Sequence, residues 1–328
     1  MRFLVTGATG FVGQHVCQHL LHSGHTVTAV SSSTSYVRGM HAAGSAQERL
    51  RWAHVPRGVI DPGLLAEACR DVDVVVHLGA RAHVLEDQGH ERDDLYLRAN
   101  VDATMALAVQ ALAAGVGRFV FMSSIGVNGD RTHGRPFHHD DPPAPHDSYS
   151  RSKLAAERAL AGLFGGSRCA LVTVRSPLVY GAGVKGNLLN LLKLVAKGWP
   201  LPFGRIENRR SFIGARNLAD FLAQCAVQPA AAGQTLLVSD GVDISTTELI
   251  RMLAKGLGVK CRLVNVPLPV LEAVARVVGK SRQVEKLCGD LQVDSQRSQQ
   301  LLQWSPKVPL AEGLADMTRW YRRSILPA

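Results

Sequence analysis

A doubly wound α/β fold built on a parallel sheet is what this sequence predicts, and three observations point to it. Short apolar runs alternate with helical patterns through the first half of the chain. Those runs are apolar on both faces, as strands covered by helices on both sides must be. A glycine-rich turn, Gly7-x-x-Gly10-x-x-Gly13, joins the first run to the first helix.

Taken in order, residues 2–6 read as a strand, 12–23 as a helix closed by Gly24, and 26–30 as a second strand. A helical pattern over 64–69 precedes a buried strand over 72–78. Residues 101–114 read as a helix that Gly115 ends, 118–122 as a strand, 150–163 as a helix and 169–175 as a strand. Beyond residue 179 the alternation loosens, with helical patterns near 187–196, 217–226, 246–256, 269–278 and 310–323. The expected division is a dinucleotide-binding domain over 1–178 and a smaller, mostly helical substrate domain over 179–328, with some segments crossing back.

The chain has 328 residues, 46% of them hydrophobic, which is enough for a well-buried core. No apolar run approaches the roughly 20 residues of a membrane span. Met1-Arg2-Phe3 leads straight into a strand pattern without a secretory signal, so a cytoplasmic protein is expected. The six cysteines, Cys17, Cys69, Cys169, Cys225, Cys261 and Cys288, form no CxxC pair and read as buried thiols. The net charge is +10, with the bases scattered rather than in a run, which argues against nucleic acid.

The turn has the attributes of a dinucleotide site. Glycines permit a tight turn and close approach of backbone to phosphate, and a helix N-terminus favours negative charge. The arrangement is Rossmann-type, although the spacing is GxxGxxG and not GxGxxG. In NAD-specific sites a carboxylate roughly 20 residues further on holds the ribose 2′-hydroxyl. Here the second strand ends Val30-Ser31-Ser32-Ser33. Serines would not repel a 2′-phosphate, and Arg38 is placed to reach one. NAD or NADP is expected, with a lean toward NADP(H).

"DSYSRSKLAAER" carries Tyr149 and Lys153 four apart at the start of a helix, on one face. A neighbouring cation and an oxidised nicotinamide would lower a phenol pKa of about 10 toward a range useful for proton exchange with an alcohol or ketone. Upstream, Ser123-Ser124 ends a strand at the carboxyl edge of the sheet, where such folds bind ligands. Ser124 is a candidate donor to the reacting oxygen.

These residues resemble the extended short-chain dehydrogenase/reductase family, in its nucleotide-sugar epimerase, dehydratase and reductase branch. The likeness includes the glycine turn, "HLGA" at 77–80, "NVDAT" at 100–104, Ser123-Ser124, Tyr149-x-x-x-Lys153, "VYG" at 179–181 and "RRSF" at 209–212. The resemblance implies that Tyr149 is the acid/base, Lys153 its partner on the nicotinamide ribose, and Ser124 the substrate-oxygen donor. It implies a cofactor pocket from Gly7, Thr9, Gly10, Phe11, Val12 and Gly13, then Leu78, Gly79, Ala80, Asn100 and Ser123, together with Ser31 and Arg38. Arg210 and Asn187 resemble the residues that grip the sugar-nucleotide diphosphate. A homodimer is implied as well.

Dehydratases of this branch carry Asp and Glu directly after the catalytic hydroxyl, and here those positions are Ile125 and Gly126. "SSIGVNG", "GVKGN" and "NRRSF" are similar to a subgroup acting on UDP-N-acetylhexosamines in surface-polysaccharide (O-antigen) assembly. The expectation is hydride transfer at C4 of a UDP-sugar, in the first instance reduction of a UDP-4-keto-6-deoxy-N-acetylhexosamine. A UDP-glucose or UDP-N-acetylglucosamine 4-epimerase shares every residue named. A non-catalytic NAD(P) sensor would not need Tyr149 and Lys153 together, and a reductase of a non-nucleotide ketone would not need Arg210. His133, His138, His139 and His146 crowd a proline-rich loop beside Asp140 and Asp141, with no spacing that converges them, so no metal is expected.

Overall fold

The computed structural model describes residues 1–32, 48–56, 60–81, 90–279 and 281–326. Its strands in chain order are β1 (Arg2–Thr6), β2 (Thr26–Ser31), β3 (Leu50–His54), β4 (Val74–His77), β5 (Arg118–Ser124), β6 (Ala170–Ser176), β7 (Leu178–Tyr180), β8 (Arg210–Gly214), β9 (Thr235–Leu237) and β10 (Asp243–Ile244). Seven form one all-parallel sheet in the order β3-β2-β1-β4-β5-β6-β9. The chain runs outward from β1 to β3, then returns to β4 beside β1. That reversal opens a crevice at the carboxyl ends of β1 and β4, where open α/β sheets bind ligands.

The helices that cover this sheet are α1 (Phe11–His22), α2 (Pro62–Cys69), α3 (His90–Leu97), α4 (Ala103–Ala113) and α5 (Ser148–Phe164). Strand side chains alternate faces, as the pleat demands. Phe3 and Val5 join Val16 and Leu20 of α1 in one buried cluster. Leu4 between them joins Leu107 of α4 and Leu160 of α5 in another. Helix α2 starts where Asp61 accepts from the Gly63 and Leu64 amides, with Pro62 in the first turn. Helix α5 starts at Ser148, earlier than the apolar pattern implies, because Asp147 caps it through the Ser150 amide.

A second lobe holds the sheet β10-β8-β7, with β7 parallel and β10 antiparallel to β8. Around it lie α6 (Gly186–Ala196), α8 (Thr246–Leu257), α9 (Leu268–Val277), α10 (Ser281–Cys288) and α12 (Leu310–Ser324). Leu192, Leu253, Met317 and Tyr321 are central to its core. Helix α8 is bounded by a capping box of Ser245 and Glu248 and by Gly258 at φ 71°.

The segment 217–226, expected in the second domain, packs elsewhere. As α7 (Ala215–Val227) it lies against α1, and its Leu218, Phe221 and Leu222 belong to the cluster of Phe3 and Val5. Strand β9 then adds the seventh strand to the large sheet. Helix α11 (Gln296–Leu302) leads to Trp304, which packs edge-on against Phe221 and donates to Asp220 at 2.6 Å.

Strands β3, β7, β8, β9 and β10 carry too few residues of period-2 pattern to be read from the sequence. The helix expected over 101–114 enters through a π-helical turn, Arg98–Asp102. Cys261 is exposed and Cys288 half-buried, so only four of the six cysteines are the buried thiols expected. No helix among the described residues is long and apolar enough to cross a membrane.

Candidate active site

The glycine turn is built so that two backbones nearly touch. Gly7 has φ +65°, and a Cβ there would lie 3.0 Å from the Gly79 nitrogen at the exit of β4. A Cβ on Gly13 would come within 2.1 Å of the Gly7 carbonyl, which accepts from the Gly10 amide at 2.8 Å. No side chain caps α1 at Gly10. The first-turn amides of Phe11, Val12 and Gly13 are therefore donors suited to an anion. The Thr9 carbonyl accepts from Gln14 Nε2 at 3.2 Å, which pins the turn.

The same helix touches the second lobe. His15 Nε2 meets the Ala182 carbonyl at 2.9 Å, and a Cβ on Gly183 would lie 3.5 Å from the Phe11 ring. Ser31 is buried at the end of β2. Arg38 lies outside the described residues.

A buried chain of hydrogen bonds orders the exit of β4. Thr6 Oγ1 accepts from the amides of Leu78 (3.2 Å) and Gly79 (3.0 Å). Its own proton goes to His77 Nδ1 at 2.7 Å, so His77 carries its hydrogen on Nε2. That nitrogen donates to Thr104 Oγ1 at 2.9 Å, which in turn donates to the Asn100 carbonyl at 2.8 Å. Burial, and secondarily Lys153, push the His77 imidazole down to about 3. It is neutral at physiological pH.

The Asn100 side chain accepts from the Arg81 amide (2.7 Å) and donates to the Arg81 carbonyl (3.1 Å) and Ser152 Oγ (2.9 Å). Ser152 passes its proton to the Tyr149 carbonyl at 2.7 Å. Asn100 thus ties the backbone after Leu78, Gly79 and Ala80 to the first turn of α5, a positioning role that its type alone did not disclose.

Tyr149 and Lys153 occupy successive turns of α5, and the Tyr149 ring meets Tyr96 edge-on at 6.3 Å. Lys153 Nζ donates to the Met122 carbonyl at 2.8 Å and sits 4.5 Å above the Phe121 ring. Burial lowers Lys153 to about 7, opposed by Glu157. Burial, then Asp147 and Tyr96, raise the Tyr149 phenol above its ordinary value. Desolvation of the phenolate dominates among the chain's own groups, and the fall expected from the sequence includes the positive charge of an oxidised nicotinamide beside the phenol.

Ser124 Oγ accepts from the Gly126 amide at 3.1 Å, which leaves its proton to donate. A Cβ on Gly126 would lie 2.4 Å from Ser150 Oγ, so glycine there lets the Ser124 turn meet α5. Ile125 is buried with Leu237 and Val293, and brings no proton-transfer group to the site.

Ser123 donates its hydroxyl to Glu157 Oε1 at 2.5 Å. Glu157 is gripped by Arg175 through Nε at 3.0 Å and Nη2 at 2.5 Å, and Arg175 Nη1 reaches Asn128 at 3.0 Å. The sequence reading missed this pair. The available signal was Glu157, four residues after Lys153 on the same helix face.

Arg210 opens β8, with Nη1 donating to the Gly289 carbonyl at 2.8 Å. Burial lowers its guanidinium to about 10, and Asp290 opposes the shift. Asn187 is exposed in the first turn of α6, and no hydrogen bond joins it to Arg210 among the described residues. Contrary to the expectation that nothing converges these groups, ligand atoms of His138, His139 and Asp140 lie within 4.8 Å of one another, whereas His133 and His146 are not part of that group.

Residues 3–238 match the NAD dependent epimerase/dehydratase family. The chain belongs to it. It is 40% identical over 325 residues to the UDP-glucose 4-epimerase of Vibrio cholerae, covering 94% of this chain and 92% of that one. Among solved structures it is similar to MoeE5 in complex with UDP-glucose and NAD, at TM-score 0.78 and 26% identity, over 99% of this chain and 100% of that one. DesIV, a dTDP-glucose 4,6-dehydratase from Streptomyces venezuelae with NAD and TYD bound, aligns at TM-score 0.80 and 26% identity, over 99% and 98%.

The protein is therefore an NAD-dependent enzyme of the epimerase/dehydratase family, in the nucleotide-sugar branch of the extended short-chain dehydrogenases. The chain's own residues fit the cofactor: the Gly7 and Gly13 contacts leave no room for side chains, and the uncapped α1 offers its amides at the sheet crevice.

Proposed function

We propose that the enzyme is a UDP-hexose 4-epimerase that retains NAD through each cycle. Nearly full-length likeness to the Vibrio cholerae 4-epimerase carries this reading. The site agrees with it: a hydroxyl, a phenol and a lysine are present, and Ile125-Gly126 replace the acids that would eliminate water. Bound NAD supplies a hydride acceptor and donor for C4 of the sugar. Tyr149 takes the proton of the C4 hydroxyl and later returns one to the oxygen of the 4-keto sugar, whichever face of C4 the hydride re-enters. Ser124 donates to the same oxygen, and Arg210 holds the diphosphate of UDP. The likeness to NAD-bound MoeE5 and DesIV supports NAD over the NADP(H) lean taken from the serine run. A homodimer belongs to the same reading.

The test is to denature the purified protein, identify any nucleotide released, and follow UDP-glucose and UDP-N-acetylglucosamine by proton NMR. Released NAD and C4 inversion support the epimerase. Protein without nucleotide that instead oxidises NADH or NADPH with a UDP-4-keto-6-deoxy sugar replaces it with the reductase. Ser31, where NAD-specific sites have a carboxylate, is the feature that keeps this second reading open.

A further inference from the structure

Helix α9 buries only Leu271 and Ala275. Its other apolar side chains face outward: Val270 is 51% exposed, Val274 55%, Val277 88%, and Val278 just beyond it 57%. At about 100° per residue these four valines share roughly 100° of arc, directly beside the arc that holds Leu271 and Ala275. The apolar face of α9 is thus far wider than the part the second lobe covers. Scattered exposed valines are ordinary, whereas four on one strip mark a contact surface.

Two more exposed apolar side chains lie in the chain before α9. Val264 is 48% exposed, and the bridge between Leu201 and Leu263 brings Trp199, 61% exposed, alongside. Lys197 Nζ lies 4.9 Å over the Trp199 ring. The charge of this stretch is mostly of one sign. Residues 255–286 carry seven cations against two carboxylates, half of the chain's net +10. Lys255, Lys260, Arg262 and Arg276 among them are exposed.

We propose that this face docks on an anionic lipid bilayer surface. A short amphipathic helix with a bare apolar strip, an exposed tryptophan and surrounding cations suits the interface between headgroups and acyl chains. A membrane span is not involved. Lys286 of α10 lies 3.9 Å from Asp147, the cap of the helix bearing Tyr149, and Glu285 lies 3.9 Å from Arg131. Helix α10, which packs against α9, therefore adjoins the loop that leads into the catalytic helix.

Flotation of the full-length protein with vesicles tests this directly. One set is phosphatidylcholine alone, the other contains about one third phosphatidylglycerol. The protein should float with the anionic vesicles only, less so as salt rises. V274E/V277E and R262E/R276E should each reduce the bound fraction by roughly tenfold. Thermal midpoint and turnover of soluble UDP-sugar should remain those of the parent. Absence from the anionic vesicles, or flotation that survives either variant, overturns the proposal. So does concentration-dependent self-association that V274E/V277E abolishes without any flotation, because a second copy would then cover the face.

Discussion

Single residues set the chemistry here through what they are hydrogen-bonded to. On the proposed mechanism, Tyr149→Phe removes the group assigned to proton exchange and should lower C4 inversion by about 10²–10⁴-fold, with the thermal midpoint unchanged. Full activity in that variant would end the acid/base assignment. Glu157 and Arg175 are both nearly buried, and neither has water to fall back on. Glu157→Gln should destabilise the fold by about 3–5 kcal/mol in urea titration, because it leaves the guanidinium charge unpaired. Lys153 has a pKa of about 7 when folded against 10.5 in the unfolded chain. Between these values the unfolded chain binds the extra proton, so stability should rise with pH. From pH 7 to about 8.5 the gain should be on the order of 1 kcal/mol, and Lys153→Met should flatten it. At higher pH the slope reverses, because buried thiols such as Cys17 and Cys225 keep protons that the unfolded chain releases. Tyr149, Lys153 and Ser124 were legible in the sequence because their spacing and order are local. Glu157, Arg175 and the roles of Asn100 and Ser123 were not, because each depends on a partner many residues away.

At the scale of elements, the first helix was readable to within a residue, since glycines and apolar spacing mark both its ends. Its packing adds a prediction. Gly13→Ala places a methyl against the Gly7 carbonyl. The turn must then open, and the protein should lose NAD affinity by at least tenfold in calorimetry, together with about 2 kcal/mol or more of stability. Unchanged affinity would mean that the turn does not hold the dinucleotide. The short strands β7 to β10 were illegible for a physical reason. The two or three residues of β7, β9 and β10 show no periodicity, and the five of β8 do not alternate; the three shortest exist only because a longer neighbour supplies their hydrogen-bond partners.

Across the whole molecule, the chain enters the second lobe after β6, returns to the large sheet for α7 and β9, and leaves again. A fragment ending at residue 178 would expose the β6 edge and the apolar side of α1 that Leu218 and Phe221 cover. Expressed alone it should aggregate, whereas the same sheet supplied with 215–238 should be recovered soluble in larger amount. Equal solubility of the two would show that α7 and β9 are dispensable to the sheet. The sequence disclosed the doubly wound class and that some segments cross back, but not that α7 and β9 are those segments, because helix α7 is equally apolar whichever sheet it covers.

One contact between the lobes bears on the order in which ligands arrive. Phe11 and His15 stand in the first turns of α1 and touch the loop 181–183 of the other lobe. A dinucleotide that steadied the start of α1 would also steady that loop, and if the second ligand meets the loop, part of its ordering entropy would already be met. Thermodynamic reciprocity then requires UDP to tighten the dinucleotide by the same factor by which the dinucleotide tightens UDP. An enzyme wired this way would lose its dinucleotide slowly while nucleotide sugar is abundant and more readily when sugar runs out.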